Sequence, residues 1–255
     1  MSYRFHDRTR AVLKLTGADA EPFLQNLVTN DVSKLSEGAV YAALLTPQGK
    51  YLADFILSKT DDGILLDADA EQVDGLMKRL TLYKLRADVT IEATSLPVVC
   101  FWGEGELPGI KDPRNEALGT RLYEMSDVGT PATEADYNAL CVANAIPRAG
   151  RELRANESFI LEMGFEALNG VDFRKGCYVG QEVTARMKHK TKLRKGLSRV
   201  AVEGDAAPGT EILSSDGRAA GVLHSQAGGE GLAYLRFDRA EGEMQAGDAT
   251  LRRLP

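Results

Sequence analysis

Only three cysteines occur in 255 residues: Cys100, Cys141 and Cys177. Their odd number and wide spacing exclude a disulfide framework and a Cys-x-x-Cys metal site within the chain. Free thiols point to a reducing compartment, and a cytoplasmic location is the expectation. Histidine is equally scarce. His6, His189 and His224 are scattered, with no His-x-x-x-His or His-Glu-x-x-His spacing, so no metal site is expected. No apolar run approaches the roughly 20 residues of a spanning helix. The opening Met1-Ser2-Tyr3-Arg4-Phe5-His6 lacks the apolar centre of a secretory leader. On these grounds membranes are left out as partners.

Positive charge is also in short supply, with 31 basic residues against 37 acidic ones and a net charge of −6. Six of the basic residues fall in 186–195, which contains no acid. A chain this acidic is no duplex-DNA binder. The basic strip suits a small anionic ligand or a limited RNA contact. If extended, it would place Lys188, Lys190, Lys192 and Arg194 on one face, either simply solvated or facing an anion.

Composition is otherwise that of a globular protein, 44 % hydrophobic and 27 % charged. Residues 10–16 read as a strand, and Gly17-Ala18-Asp19 starts a helix that carries Pro22 in its first turn and ends at Thr29-Asn30-Asp31. The apolar stretch 39–46, the turn Thr46-Pro47-Gln48-Gly49 and the stretch Tyr51 to Leu57 predict a hairpin. Val73, Leu76, Met77 and Leu80 have helical spacing, and Val98 to Trp102 reads as a strand. Residues 103–132 read as irregular. Thr133 and Asp136 can open a helix with a capping box, with Tyr137, Leu140 and Cys141 on its inner face. From Leu197 onward short strands alternate with glycine-rich turns, the pattern of a small barrel.

The stretch after Asn169-Gly170 is the most unusual. In Lys175-Gly176-Cys177-Tyr178-Val179-Gly180-Gln181-Glu182, glycines at 176 and 180 let the chain turn on both sides of a cysteine that precedes a helix. A helix N-terminus and the neighbouring Arg174 and Lys175 favour thiolate. The competing reading is a small buried hydrophobe between two glycines. Cys100 and Cys141, on apolar faces, read as core.

This eight-residue run resembles the K-G-C-Y-x-G-Q-E signature of YgfZ-type folate-binding proteins, which are relatives of the glycine-cleavage T-protein. Phe159 to Glu162, Phe173 and Thr184-Ala185-Arg186 with His189 resemble the mitochondrial iron–sulfur assembly branch in particular. The runs Leu15 to Asp19, Phe23 to Gln25, Thr29 to Val32, Thr46 to Lys50 with Asp54, and Tyr83-Lys84-Leu85-Arg86 follow in family order. Two positions depart. Cys141 stands where many relatives carry a polar or basic residue, and Thr191 where they carry glycine.

The resemblance implies an α+β, T-protein-like fold. Pseudo-repeated α/β subdomains would surround a central cavity in residues 1–192, with an inner break near 95–135, and 193–255 would form a C-terminal β-barrel. It implies a tetrahydrofolate-binding accessory factor for iron–sulfur cluster assembly or repair, and indirectly for tRNA modification. Cys177, Lys175 and Asp54 would carry the chemistry. Asn30, Asp54, Tyr137, Glu162, Gln181, Glu182 and Arg186 would contact the folate, with Tyr137 stacked on the pterin. The expected partners are a reduced folate, iron–sulfur assembly or client proteins, and RNA or a folate polyglutamate tail at 186–195. One thiolate cannot hold a cluster alone, so Cys177 would share one with a partner. The alternatives are a folate-dependent aminomethyl transferase, with Asp54 acting on the amine, and a scaffold that uses the fold without folate.

Overall fold

The computed structural model describes residues 1–190 and 192–255, with Lys190 described by its backbone alone. The departure at Thr191 therefore lies outside the described residues. The first half contains β1 (Ser2–His6), β2 (Arg10–Thr16), α1 (Ala20–Gln25), β3 (Val40–Leu45), β4 (Tyr51–Thr60), β5 (Gly63–Asp69), α2 (Val73–Tyr83) and β6 (Thr90–Ala93). There follow β7 (Val99–Gly103), β8 (Ile110–Lys111), β9 (Thr120–Leu122), β10 (Thr130–Pro131), α3 (Glu134–Ala143) and α4 (Gln181–Lys190). The chain ends with β11 (Lys195–Glu203), β12 (Glu211–Ser214), β13 (Ala219–Ala227), β14 (Glu230–Arg236), β15 (Glu243–Ala246) and β16 (Ala249–Arg253).

Every residue of β3 is buried because its sheet is covered on both faces. Val40, Ala42 and Leu44 pack with Phe23 and Leu24 of α1 and Leu76 and Leu80 of α2. Tyr41, Ala43 and Leu45 face a second core that holds Cys100, Trp102, Tyr137 and Cys141. Each such fully buried leucine or phenylalanine contributes about 2 kcal/mol. The sheet order is β3-β4-β5-β2-β6, and a second sheet runs β10-β1-β7-β9-β8. The turn after β3 is closed by Gly49 N–H donating to the Thr46 carbonyl at 2.8 Å, with Gly49 at φ 74°. The barrel closes in the order β11-β14-β13-β12-β15-β16 around its own core.

Three expectations need correction. Residues 103–132 are not irregular throughout. They supply β8, β9 and β10, strands of two or three residues that complete the second sheet. The first helix stops at Gln25 because Thr29 is drawn into the sheet, its hydroxyl accepting from Ala43 N–H at 2.9 Å and donating to the Gly170 carbonyl at 2.7 Å. The first half of the basic strip is not extended, since α4 continues to Lys190, while Lys192 and Arg194 lie beyond the helix. Lys188 instead pairs with Glu166 and lies 5.3 Å from the Phe173 ring.

Candidate functional site

Asp54 lies on β4 opposite Ala43, facing inward from the first sheet toward the second. Its carboxylate accepts from the Tyr51 hydroxyl at 2.7 Å and the Tyr41 hydroxyl at 3.1 Å. Burial, and then the Asp54 charge, push both phenols well above their ordinary range, so they remain donors. The adjoining chamber is also lined by Arg10, Asp69, Arg114, Arg121, Tyr137 and Arg148, and its volume is about 20 Å³. That is room for about one water molecule, whereas ligand sites run to about 300 Å³ or more.

A chain of ion pairs fills the remaining space. Arg10 Nε donates to Asp67 at 2.6 Å, and Arg121 Nη1 donates to the same carboxylate at 2.8 Å. Arg121 Nε reaches Asp112 at 2.8 Å, and Arg114 Nη2 joins it at 2.7 Å. Burial alone would raise Asp112, but Arg114 and Arg121 together hold it well below the usual carboxylate range. Breaking one member of such a buried set costs about 3–5 kcal/mol.

Tyr137 is part of this wall. It is 2 % exposed, stacked on Phe5 with centroids 5.2 Å apart, and its hydroxyl accepts from Arg121 at 3.1 Å and Arg114 at 3.3 Å. The ring therefore offers no open face to a pterin. Asn30 is likewise spent. Its amide donates to the carbonyls of Tyr41 and Asn169, and its oxygen accepts from Asp31 N–H and Lys34 Nζ. An asparagine side chain has no further capacity for a ligand. As the chain stands, the residues around Asp54 do not fit a bound tetrahydrofolate.

The signature loop is built differently. Lys175 is 7 % exposed and donates to three backbone carbonyls, those of Gln25 at 2.7 Å, Val28 at 2.5 Å and Asn30 at 2.9 Å. All three ammonium protons are used, so Lys175 fastens the loop to the end of α1 and leaves no donor for a substrate. Burial lowers its pKa to about 8, opposed by Asp31 and Asp172. Tyr178 is buried beneath it, with the ammonium 5.3 Å from the ring. Gly180 has φ 84°, and a Cβ there would stand 2.6 Å from the Thr46 carbonyl and 3.0 Å from the Gly49 Cα. Gly176 has open space around it and no positive φ, so only the second glycine is required by the turn.

Between these anchors Cys177 is exposed, whereas Cys100 and Cys141 are buried. Burial pushes both inner thiols up to about 11. Glu182 and Arg186 are exposed and Gln181 half-buried on α4, beyond the thiol. Glu162 is remote from this group in role. It accepts from the Tyr234 hydroxyl, and its carbonyl accepts from Leu197 N–H at 2.7 Å, so it docks the barrel on the body. The structure thus separates the expected site into a filled chamber around Asp54, a docking carboxylate and a surface loop that carries the thiol. Arg10, Asp67, Asp112, Arg114 and Arg121 were missed in the sequence. Their one signal is charge beside apolar runs, as in Ile64-Leu65-Leu66-Asp67.

Comparison with known proteins places this geometry. Residues 194–254 match the family described as the C-terminal beta-barrel domain of CAF17. Over the whole chain, the crystal structure of the glycine cleavage system aminomethyltransferase T from Bartonella henselae superposes with a TM-score of 0.79. It covers 99 % of this chain and 84 % of that one, at 14 % identity, which establishes the fold alone. The mitochondrial iron–sulfur cluster assembly factor IBA57 of Mus musculus is 31 % identical, covering 92 % of this chain and 78 % of its own length. The Homo sapiens protein gives the same figures, and the Mycosarcoma maydis homologue is 33 % identical over 73 % of this chain and 54 % of its own. These relatives are mitochondrial, which overturns the cytoplasmic expectation. Free thiols report a reducing environment and do not distinguish one reducing compartment from another. Nearly a third identical to the mouse and human factors over 92 % of its length, this chain belongs to the IBA57 family of iron–sulfur cluster assembly factors.

Proposed function

We propose that the chain acts in mitochondrial iron–sulfur cluster assembly by presenting the Cys177 thiol, from a firmly anchored loop, to a partner protein or to the cluster that partner carries. The relatives' names support the process and the compartment. The geometry supports the group, because Cys177 is the one exposed thiol of the three. The other groups expected to contact a ligand from inside the body, Asn30, Asp54, Lys175 and Tyr137, are already hydrogen-bonded within the protein. On meeting iron the thiol gives its proton to water, and Sγ becomes a ligand. A partner must complete the set, since one thiolate is too few.

No step is assigned to folate. Aminomethyl transfer with Asp54 as base is disfavoured, since both its oxygens accept tyrosine protons beside a 20 Å³ chamber. The test combines tetrahydrofolate titration of wild type and Cys177→Ala with complementation of cells that lack the chain. Client iron–sulfur enzyme activity, together with any tRNA modification that depends on such enzymes, is expected to be lost with Cys177→Ala while the melting temperature is unchanged. Full restoration by the mutant would remove Cys177 from the mechanism. Tetrahydrofolate is expected to leave the melting temperature unmoved, whereas a concentration-dependent rise would restore the folate-dependent reading.

A further inference from the structure

The basic strip takes no part in the chemistry above, yet the fold sets its first half beside the thiol. Phe173, close before Cys177 in the chain, has its ring 6.5 Å from that of His189 and 5.3 Å from the Lys188 ammonium, and Lys188 pairs with Glu166. The last turn of α4 is thus folded back on the segment that leads into the signature loop. Thr184 is buried, and Met187 packs against the core that holds Tyr178. At 100° per residue, Glu182, Arg186 and His189 fall on the opposite, exposed face of α4. The helix is only about 15 Å long, so this face and the exposed Arg174, Gly176 and Cys177 border one surface.

That surface differs in charge from the rest of the molecule. Residues 172–195 hold eight basic residues and two acidic ones, on a chain whose net charge is −6. The neighbouring acids are engaged. Asp172 accepts from Lys34 Nζ at 2.6 Å and from Arg174 N–H at 2.7 Å, Asp31 accepts from the Ser33 hydroxyl at 2.8 Å, and Glu166 holds Lys188. Arg174, Arg186, Lys192 and Arg194 are exposed and form no ion pair among the described residues, and on the acidic side Glu182 alone of this stretch is free. Four free cations therefore stand against one free carboxylate beside the one exposed thiol of the three. A nucleic acid fits this surface poorly. The Phe173 ring lies half-buried against Lys188 and His189, and the exposed aromatic among the described residues is Tyr3, on β1 of the second sheet, so no ring is offered here for a base to stack on. The acidic remainder of the chain also repels a phosphate backbone that runs past the patch. A compact acidic surface meets the cations without that cost, and a cluster held by thiolates brings negative charge of its own.

We infer that Arg174, Arg186, Lys192 and Arg194 form a landing face for an acidic surface of the protein that carries the cluster, and steer that surface onto Cys177. The inference rests on the reading of Cys177 given above and adds the chemistry by which the partner is recognised. Steering of this kind acts on the encounter and weakens with salt. Short poly-L-glutamate stands in for the acidic surface. It is expected to bind the full chain and to slow alkylation of Cys177 by the neutral reagent iodoacetamide, with both effects fading as salt is added, whereas poly-L-lysine does neither. Arg174→Glu, Arg186→Glu and Arg194→Glu should each weaken binding about 5-fold, and Glu182→Lys should tighten it by about as much. Lys59→Glu should change nothing, because Lys59 lies at the far end of β4 from the Thr46–Gly49 turn against which Gly180 packs. All five side chains are exposed, so an unchanged melting temperature certifies the fold of each variant. In cells that lack the chain, Arg174→Glu combined with Arg186→Glu is expected to lose client enzyme activity although Cys177 remains and still reacts. Full activity of this double variant, with Cys177→Ala inactive, overturns the landing face and leaves the thiol reading standing. A fully active Cys177→Ala removes the thiol reading, and the inference with it. Poly-L-glutamate binding that the three arginine variants retain also overturns the inference. So does tighter binding and stronger protection by an oligouridylate of equal charge, which would make the face one for RNA. If Arg186→Glu converts a dimer to a monomer, the acidic surface is that of a second copy of this chain and the assignment to a cluster carrier falls.

Discussion

Replacing Lys175 by methionine tests whether the signature loop is held as described. The substitution keeps most of the side-chain volume and deletes one buried ammonium that serves three carbonyls at 2.5–2.9 Å. Those carbonyls belong to the end of α1 and the residues after it, where the helix leaves its last acceptors unpaired. Each carbonyl left without a donor in a buried place costs about 1–3 kcal/mol. Recovery of the desolvation that lowers the lysine pKa to about 8 offsets part of this. A net loss of about 3 kcal/mol is expected, equivalent to roughly 6–12 °C in melting temperature for a domain of about 200 residues. The assay is urea unfolding with the slope checked for constancy, alongside the rate of Cys177 alkylation in the native state. Alkylation should accelerate, because the loop loses its tether while the thiol remains. Lys175→Arg should recover only part of the stability, since a planar guanidinium cannot reach three converging carbonyls as an ammonium does. A cost below about 1 kcal/mol, with alkylation unchanged, would refute the account.

Thiol counting gives a second check: one cysteine should react rapidly in the native protein and three in denaturant, because Cys100 and Cys141 are buried with pKa values near 11. Arg121→Met should destabilise by about 3–5 kcal/mol, since it removes the arginine that joins the two buried carboxylates and leaves Asp67 to Arg10 and Asp112 to Arg114, and an unchanged urea midpoint would contradict the network. His224 has its pKa lowered, first by burial and then by Arg154. Below pH 6.5 the unfolded chain binds its proton first, so stability should fall with pH from about 6.5 downward. His224→Gln should flatten that slope in urea midpoints taken at about pH 7.5 and about pH 5.5.

Where the pattern is local, the sequence and the structure agree. The β3–β4 hairpin follows from an apolar run, a Pro-Gln-Gly turn and a second run, and its register is fixed within about ten residues. Thr133 and Asp136 form the capping box that their spacing predicts. Alternation in β11 matches its burial, with Gly196, Ser198, Val200 and Val202 inward. The second sheet was hidden because β8, β9 and β10 span only two or three residues each, too short to show a period. The site was hidden for another reason. Whether Asn30 or Lys175 faces a ligand depends on partners about 140–150 residues away, and no local window contains them.

The sequence by itself determined the family resemblance, the barrel, the β3–β4 hairpin and the reactive-looking cysteine beside a helix start. All of these follow from periodicity, turn chemistry and one contiguous run of residues. Only the tertiary structure decided which polar groups remain available. It closed the Asp54 chamber with arginines from β2, from β9 and from the loop between β8 and β9, bound Lys175 into three carbonyls and left Cys177 outside. Hydrogen-bond capacity is finite, and packing distant segments together is what consumes it.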